Sequence, residues 1–165
     1  MTNELRDVLC AVITVSDRAS RGERQDTSGE AIADALREAG ADVEHSIVSD
    51  GIDTVLGALR ASTSTGARVV ITTGGTGIAP RDFTPEATAS IISRTIPGIP
   101  ELLRRVSGAS VPTAALSRGI AGVTGGPITA IVINLPGSLD SATAGIDALL
   151  PLLPHMIAQL DGEDH

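Results

Sequence analysis

Val69-Val70-Ile71-Thr72-Thr73-Gly74-Gly75-Thr76-Gly77-Ile78-Ala79-Pro80-Arg81-Asp82-Phe83-Thr84-Pro85-Glu86 is the stretch that decides the fold of this chain. Five consecutive β-branched residues favour a strand, the glycines end it, and Thr84 with Pro85 predict a helix start, Thr84 as N-cap and Pro85 at the first helical position. Strand, glycine-rich loop and helix form the unit of an open α/β sheet, where ligands sit outside the carboxyl ends of the strands. Glycines there let the backbone approach a ligand and leave amides to face an anion. From its residues alone the loop is either a ligand loop or a tight structural turn, and the hydroxyls of Thr72, Thr73 and Thr76 favour a polar ligand. It matches neither the nucleotide-triphosphatase loop, because no Gly-Lys-Ser/Thr follows, nor the dinucleotide fingerprint, whose spacing differs.

Outward from this loop, Val8 to Val15 is a short apolar run that fits a buried strand of a parallel sheet. Met1 to Asp7 is a polar lead-in, Ser16 to Thr27 reads as a charged loop, and Ser28 is placed to cap a helix ending at Ala39 before Gly40. Ala41 to Val48 alternates as an exposed strand with Val43, His45 and Ile47 inward; His45 reads as a packed or edge histidine, since no base is near it in sequence. Ile52 to Arg60 is the next helix. Helices are also expected at Pro85 to Thr95, Glu101 to Val106 and Ala115 to Ala121, then a connector at Gly122 to Pro127 and a last strand at Ile128 to Ile133. A final helix from Leu139 to Leu160 must bend or divide at Pro151 and Pro154. Strands separated by helices predict an α/β fold, a three-layer α/β/α sandwich with a mostly parallel, doubly wound sheet, as a single domain over residues 1–165. Four loops then share one sheet edge: Ser16-Asp17, Ser49-Asp50, Gly74 to Asp82, and Asn134 to Ser138.

Composition narrows the chemistry. With one Phe, no Tyr and no Trp against 42% hydrophobic residues, the core must be aliphatic. A net charge of -8 argues against nucleic acid or an anionic membrane as partner, yet amides and a metal ion still suit a small phosphate ligand. Lysine is absent, so arginine, amides and metal must recognise any phosphate. Cys10 is alone and reads as a buried small hydrophobe. No basic head followed by an apolar stretch opens the chain and no run reaches transmembrane length, so a cytoplasmic protein is expected. Acyl transfer and zinc hydrolysis lack their motifs.

Several residues at the predicted edge have both a chemical and a local reading. Asp82 is a metal or general-base carboxylate, or it pairs with Arg81 or helps cap the following helix. Asp50 is an N-cap with Asp53 three residues on, or a second carboxylate holding Mg²⁺ between phosphate oxygens with Asp82. Ser16-Asp17-Arg18 offers a hydroxyl, a carboxylate and a guanidinium, or a capped turn with a local ion pair. Ser117-Arg118-Gly119 is a further anion-binding candidate, while Arg104 and Arg105 are more often solvent-facing. Asn134-Leu135-Pro136-Gly137-Ser138 combines a strand end, a fixed turn and a helix start, able to hold a nucleotide through the Asn134 amide and Ser138.

Gly74-Gly75-Thr76-Gly77 and Pro80-Arg81-Asp82-Phe83-Thr84-Pro85-Glu86-Ala87 resemble the signature of the molybdenum-cofactor biosynthesis domain family, which includes molybdopterin adenylyltransferases and the gephyrin G domain. Val15-Ser16-Asp17-Arg18, Ala115-Leu116-Ser117-Arg118 and Asn134-Leu135-Pro136-Gly137 extend the resemblance colinearly over nearly the whole chain. The resemblance implies Mg²⁺-dependent transfer of AMP from ATP to the molybdopterin phosphate, with Asp50 and Asp82 as catalytic and metal-binding carboxylates. It further implies ligand contacts from Ser16, Asp17, Thr73, Gly74, Gly75, Thr76, Gly77, Arg81, Ser107, Ser117, Arg118, Asn134, Pro136, Gly137 and Ser138, with Ser107 near the pterin. A homotrimer or dimer of trimers and handover of product to a molybdate-insertion protein follow from the same likeness. Within the family, a non-catalytic molybdopterin-binding paralogue is the rival expectation, and a scaffold module is a rival of another class.

Overall fold

The apolar runs stack into one six-stranded sheet in a computed structural model that describes residues 4–163. β1 (Leu9–Val15), β2 (Asp42–Val48), β3 (Val69–Thr73), β4 (Ile92–Thr95), β5 (Ala121–Thr124) and β6 (Ile131–Leu135) lie in the order β2-β1-β3-β6-β5-β4. β2, β1, β3 and β6 are mutually parallel, and β5 runs antiparallel to both β6 and β4. The three-layer, mostly parallel expectation therefore holds, with one reversed strand near an edge.

Strands buried on both faces require apolar cover above and below. On one face, Ile32 and Leu36 of α2 (Thr27–Glu38), Ile99 and Leu103 of α5 (Gly98–Gly108), Ile146 and Leu149 of α6 (Leu139–Leu149) and Leu153 of α7 (Leu153–Leu160) pack on Val12, Ile71 and Ile133. On the other, Val55 and Leu59 of α3 (Ile52–Ser64) and Ala87 of α4 (Thr84–Ala89) pack on Ile13, Val70 and Val132. Cys10 is fully buried in the first cluster, and burial pushes its thiol up to about 12.

Local expectations fail where distant partners compete. The loop after β1 contains a single turn of helix, α1 (Asp17–Ser20), capped by the Ser16 hydroxyl, which accepts from Ala19 N at 3.2 Å. Asp26 rather than Ser28 caps α2, accepting from Gly29 N at 2.8 Å. Asp50 is not an N-cap either: Gly51, at φ 121°, precedes α3 with no side-chain cap. Phe83 holds the N-cap position of α4, because the Thr84 hydroxyl is drawn away to donate to Gly74 O at 2.9 Å. Helix was expected across Ile92–Thr95 and into Ala121, but these segments pair with each other as β4 and β5, a long-range ladder with no local signature. Ala115 instead lies in a 3-10 turn, Pro112–Leu116. The final helix divides into α6 and α7 at Pro151, as proline requires. Val43 and His45 face inward on the edge strand β2, but Ile47 is exposed. Of the expected polar lead-in, Met1 to Asn3 lie outside the described residues, and Leu5 is buried in the core.

Candidate active site

After β1 the chain turns to β2 on one side of the sheet, and after β3 it ultimately reaches β6 on the other. The crevice between the carboxyl ends of β1 and β3 is therefore the topological switch point of the sheet. A cleft of about 340 Å³ occupies it, lined by Ser16, Asp50, Thr73, Gly74, Gly75, Gly137 and Ser138 among the residues expected from sequence. Gly74 has φ +99°, and a Cβ there would stand 2.3 Å from Val15 O, so only glycine lets β3 turn against the end of β1. Thr73 Oγ1 donates to Pro136 O at 2.8 Å and fixes the Pro136–Gly137 turn beside that glycine.

Two carboxylates meet at the mouth. Asp17 N donates to Asp50 Oδ2 at 2.8 Å, and Asp50 N donates to Asp17 Oδ1 at 3.1 Å. Arg81 closes the group: Nε donates to Asp17 Oδ2 at 2.8 Å, and NH2 donates to Asp17 Oδ1 at 3.0 Å and to Asp50 O at 2.7 Å. The hydrogen bond from the guanidinium holds the Asp17 carboxyl below its usual range and raises Arg81. Asp82 does not line the cleft; its Oδ2 accepts from Ala79 N at 3.1 Å within its own loop.

Arg118 ties that loop down from behind. Its backbone N donates to Thr76 O at 2.8 Å, Nε to Gly77 O at 2.7 Å and NH2 to Asp82 O at 2.7 Å, while NH1 pairs with Glu86. The bond from Arg118 holds the Glu86 carboxyl below its ordinary value. Asn134 lies inside β6 rather than after it: its Oδ1 accepts from Ile120 N, and Nδ2 donates to Thr72 and Thr88 hydroxyls at 3.0 and 2.9 Å. Together with Ser107, Ser117 and Pro136 it surrounds a second, small cavity. Ser107 Oγ is buried there without a hydrogen-bond partner, a cost that a ligand or water would relieve. Arg104 faces this cavity too, with NH1 donating to Ser117 O at 3.2 Å.

Sequence reasoning missed one wall of the main cleft: Thr14, Arg24, Gln25, Asp26, Thr27 and Ser28. Thr14 Oγ1 donates to Asp26 Oδ2 at 2.5 Å, and His45 Nε2 is 2.9 Å from the same oxygen and 3.2 Å from Thr14 Oγ1. A carboxylate oxygen only accepts, so Nε2 carries the hydrogen. The partner of His45 thus comes from 19 residues away. The available signal was a hydroxyl, Thr14, in an otherwise apolar strand, and an Asp three residues before a glycine.

Among the described residues no three His, Cys, Asp or Glu side chains form a ready metal cluster. Mg²⁺ is usually held by one or two carboxylates completed by substrate phosphate and water, and Asp50 on the cleft wall fits that donor set.

An open α/β sheet with a glycine-lined, carboxylate-bearing cleft at its switch point defines a class of proteins that hold phosphorylated small molecules. The family description "probable molybdopterin binding domain" matches residues 11–155, and the chain belongs to this molybdenum-cofactor biosynthesis family. It is 37% identical over 157 residues to a molybdopterin adenylyltransferase of Helicobacter pylori, covering 93% of this chain and 88% of that one. It is 38% identical to a molybdenum cofactor biosynthesis bifunctional protein of Synechococcus elongatus, covering 99% of this chain but only 51% of that relative. The crystal structure of the molybdopterin biosynthesis enzyme MoaB from Thermus thermophilus superposes with a TM-score of 0.84 at 41% identity, covering 94% of this chain and 98% of the other.

Proposed function

We propose that this chain is a molybdopterin adenylyltransferase, acting as one domain that transfers AMP from ATP to the terminal phosphate of molybdopterin and releases pyrophosphate. The observation that carries the reading is the switch-point cleft, in which Asp50, the Gly74–Gly75 backbone and Ser138 at the start of α6 converge. A pterin phosphate oxygen attacks the α-phosphorus of ATP as the bond to the β-phosphate breaks. The nucleophile is anionic at neutral pH, so no strong general base is required. Catalysis is then positioning and charge neutralisation. Gly74 and Gly75 let the backbone approach phosphate, Ser138 on the cleft wall caps the start of α6, and Arg81 supplies the cation. Asp50, joined by Asp82 from the loop that Arg118 steadies, would hold Mg²⁺, which screens repulsion between the two phosphates and stabilises the leaving pyrophosphate. Ser107, Ser117, Asn134 and Pro136 around the small cavity form the pterin side of this reading, where the unpartnered Ser107 hydroxyl supports a ligand contact.

The same proposal includes a cytoplasmic enzyme, assembled as a homotrimer or a dimer of trimers, that hands its product to a molybdate-insertion protein. Among the described residues no helix is long and apolar enough to cross a membrane. A groove of about 430 Å³ lined by Ile96, Ile99, Val123, Leu152, Met156 and Leu160 supports assembly, since apolar surface of this kind favours burial against a symmetry copy. Purified protein incubated with ATP, Mg²⁺ and molybdopterin should yield adenylated molybdopterin by mass spectrometry. Binding of molybdopterin without that product would reassign the chain as a non-catalytic binder.

A further inference from the structure

Asp26 ties one wall of the switch-point cleft to the sheet behind it. Arg24, Gln25, Asp26, Thr27 and Ser28 form that wall. Among the described residues no backbone–backbone hydrogen bond outside a helix or strand holds Arg24, Gln25 or Asp26, so the polar hold on the segment before α2 falls to the Asp26 side chain. That side chain is only 3% exposed, and a carboxylate buried so far must be hydrogen-bonded. It accepts from Gly29 N at 2.8 Å on Oδ1, and from Thr14 Oγ1 at 2.5 Å and His45 Nε2 at 2.9 Å on Oδ2. Gly29 belongs to the same turn of α2, so it is Thr14 of β1 and His45 of β2 that join the wall to the sheet.

The two donors are not equivalent. A threonine hydroxyl accepts as well as donates, and its hydrogen rotates to whichever acceptor suits. His45 Nε2 lies 2.9 Å from Asp26 Oδ2 and 3.2 Å from Thr14 Oγ1, so its one hydrogen serves both oxygens and leaves the Thr14 hydrogen to Asp26. A Cβ on Gly29 would stand 2.0 Å from Thr14 Oγ1, 2.3 Å from Asp26 Oδ2 and 2.6 Å from His45 Nε2. The three groups therefore press directly on the backbone of the first turn of α2, and a shift in any of them moves that turn. His45 stands behind the wall and does not line the cleft.

From this placement we infer that His45 is a positioning residue: its Nε2 hydrogen orients Asp26 and Thr14, and through them sets the width of the cleft in which substrate is held. It touches no substrate itself. Groups that hold a ligand must be fixed to within about 0.5 Å by the hydrogen bonds that support them, so a donor lost behind the wall is felt by the ligand in front of it. The inference rests on the adenylyltransferase reading for the identity of the substrates, and goes beyond it in giving a role to an edge-strand residue outside the cleft.

His45→Leu keeps bulk and removes the donor, while His45→Gln returns an N–H at the end of a side chain of similar reach. Calorimetric titration with ATP and with molybdopterin in magnesium buffer, well below the melting temperature of each variant, reads the cleft without requiring turnover. His45→Leu should bind at least one of the two about tenfold more weakly than wild type, and His45→Gln should come within about threefold of wild type. The imidazole supplies a second reading that does not depend on His45→Leu folding. At about pH 8 the nitrogen NMR spectrum of the wild type, with the His45 signals assigned by their loss in His45→Gln, should place the hydrogen on Nε2. Wild-type affinities in His45→Leu, whatever its melting temperature, overturn the role, as does an equal loss in both variants or a hydrogen on Nδ1. A wild-type protein that binds ATP but forms no adenylated product rejects the adenylyltransferase reading, and the affinities of the variants still decide the role of His45. Absence of binding of both ligands to the wild type overturns the two together.

Discussion

Asp17 and Asp50, 33 residues apart, each accept a hydrogen bond from the other's backbone amide, at 3.1 and 2.8 Å. The pairing joins the ends of β1 and β2, and it replaces the N-cap role that local sequence offered Asp50. One Asp50 oxygen is held by Asp17 N, which orients the carboxylate on the cleft wall. Arg81 bridges both residues, so a loop from the far side of the crevice is tied to the same pair.

Asp50→Asn and Asp82→Asn should each lower adenylated product by about 10²-fold or more, roughly 3 kcal/mol in the transition state, with a melting temperature near wild type. Asparagine keeps an oxygen for Asp17 N or Ala79 N, so the loss reports charge rather than structure. Wild-type turnover in Asp50→Asn would remove it from the proposed catalytic pair.

The Arg118 guanidinium serves three acceptors, two carbonyls of the glycine loop and the Glu86 carboxylate in α4, and a compact ammonium cannot reach all of them. Arg118→Ala should cost about 1–3 kcal/mol in chemical denaturation and reduce product formation, and Arg118→Lys should rescue neither fully. Full rescue by lysine would mean that a positive charge, not the fork of donors, is what the loop needs.

The pH dependence has a defined sign. Asp17 and Glu86 are depressed in the folded state by Arg81 and Arg118, so their contribution is fully present above ordinary carboxylate values and is lost as pH falls through the lower folded values. The difference in melting temperature between wild type and Arg81→Ala should be flat from pH 8 to about pH 5, then shrink in more acidic buffer. A difference that varies between pH 6 and 8 would point to another group. The size should be small, because this pair is exposed.

Assembly is checked by light scattering coupled to size exclusion at micromolar protein. A mass near three or six times 16.7 kDa is expected, and Met156→Glu in the apolar groove should shift it towards the monomer. A monomeric mass for the unmutated chain would count against the oligomer.

The parallel core and the place of the cleft were legible in the order of residues. Val8 to Val15 and Val69 to Thr73 are apolar or β-branched runs between breakers, and such runs bury on both faces wherever the chain goes. The glycine loop and the Pro136–Gly137 turn were equally legible, because backbone conformation is coded by the residue that adopts it. β4 and β5 were not, since their residues carry no strong preference and become strands only by pairing with each other and with β6. The polar partners were likewise set in three dimensions. Asp26 meets His45, Asp50 meets Asp17, and Asn134 meets Thr72 and Thr88 across gaps of 19 to 62 residues. A side chain has one local option and many distant ones, and which distant group arrives within hydrogen-bond reach is set by how the strands are ordered in the sheet.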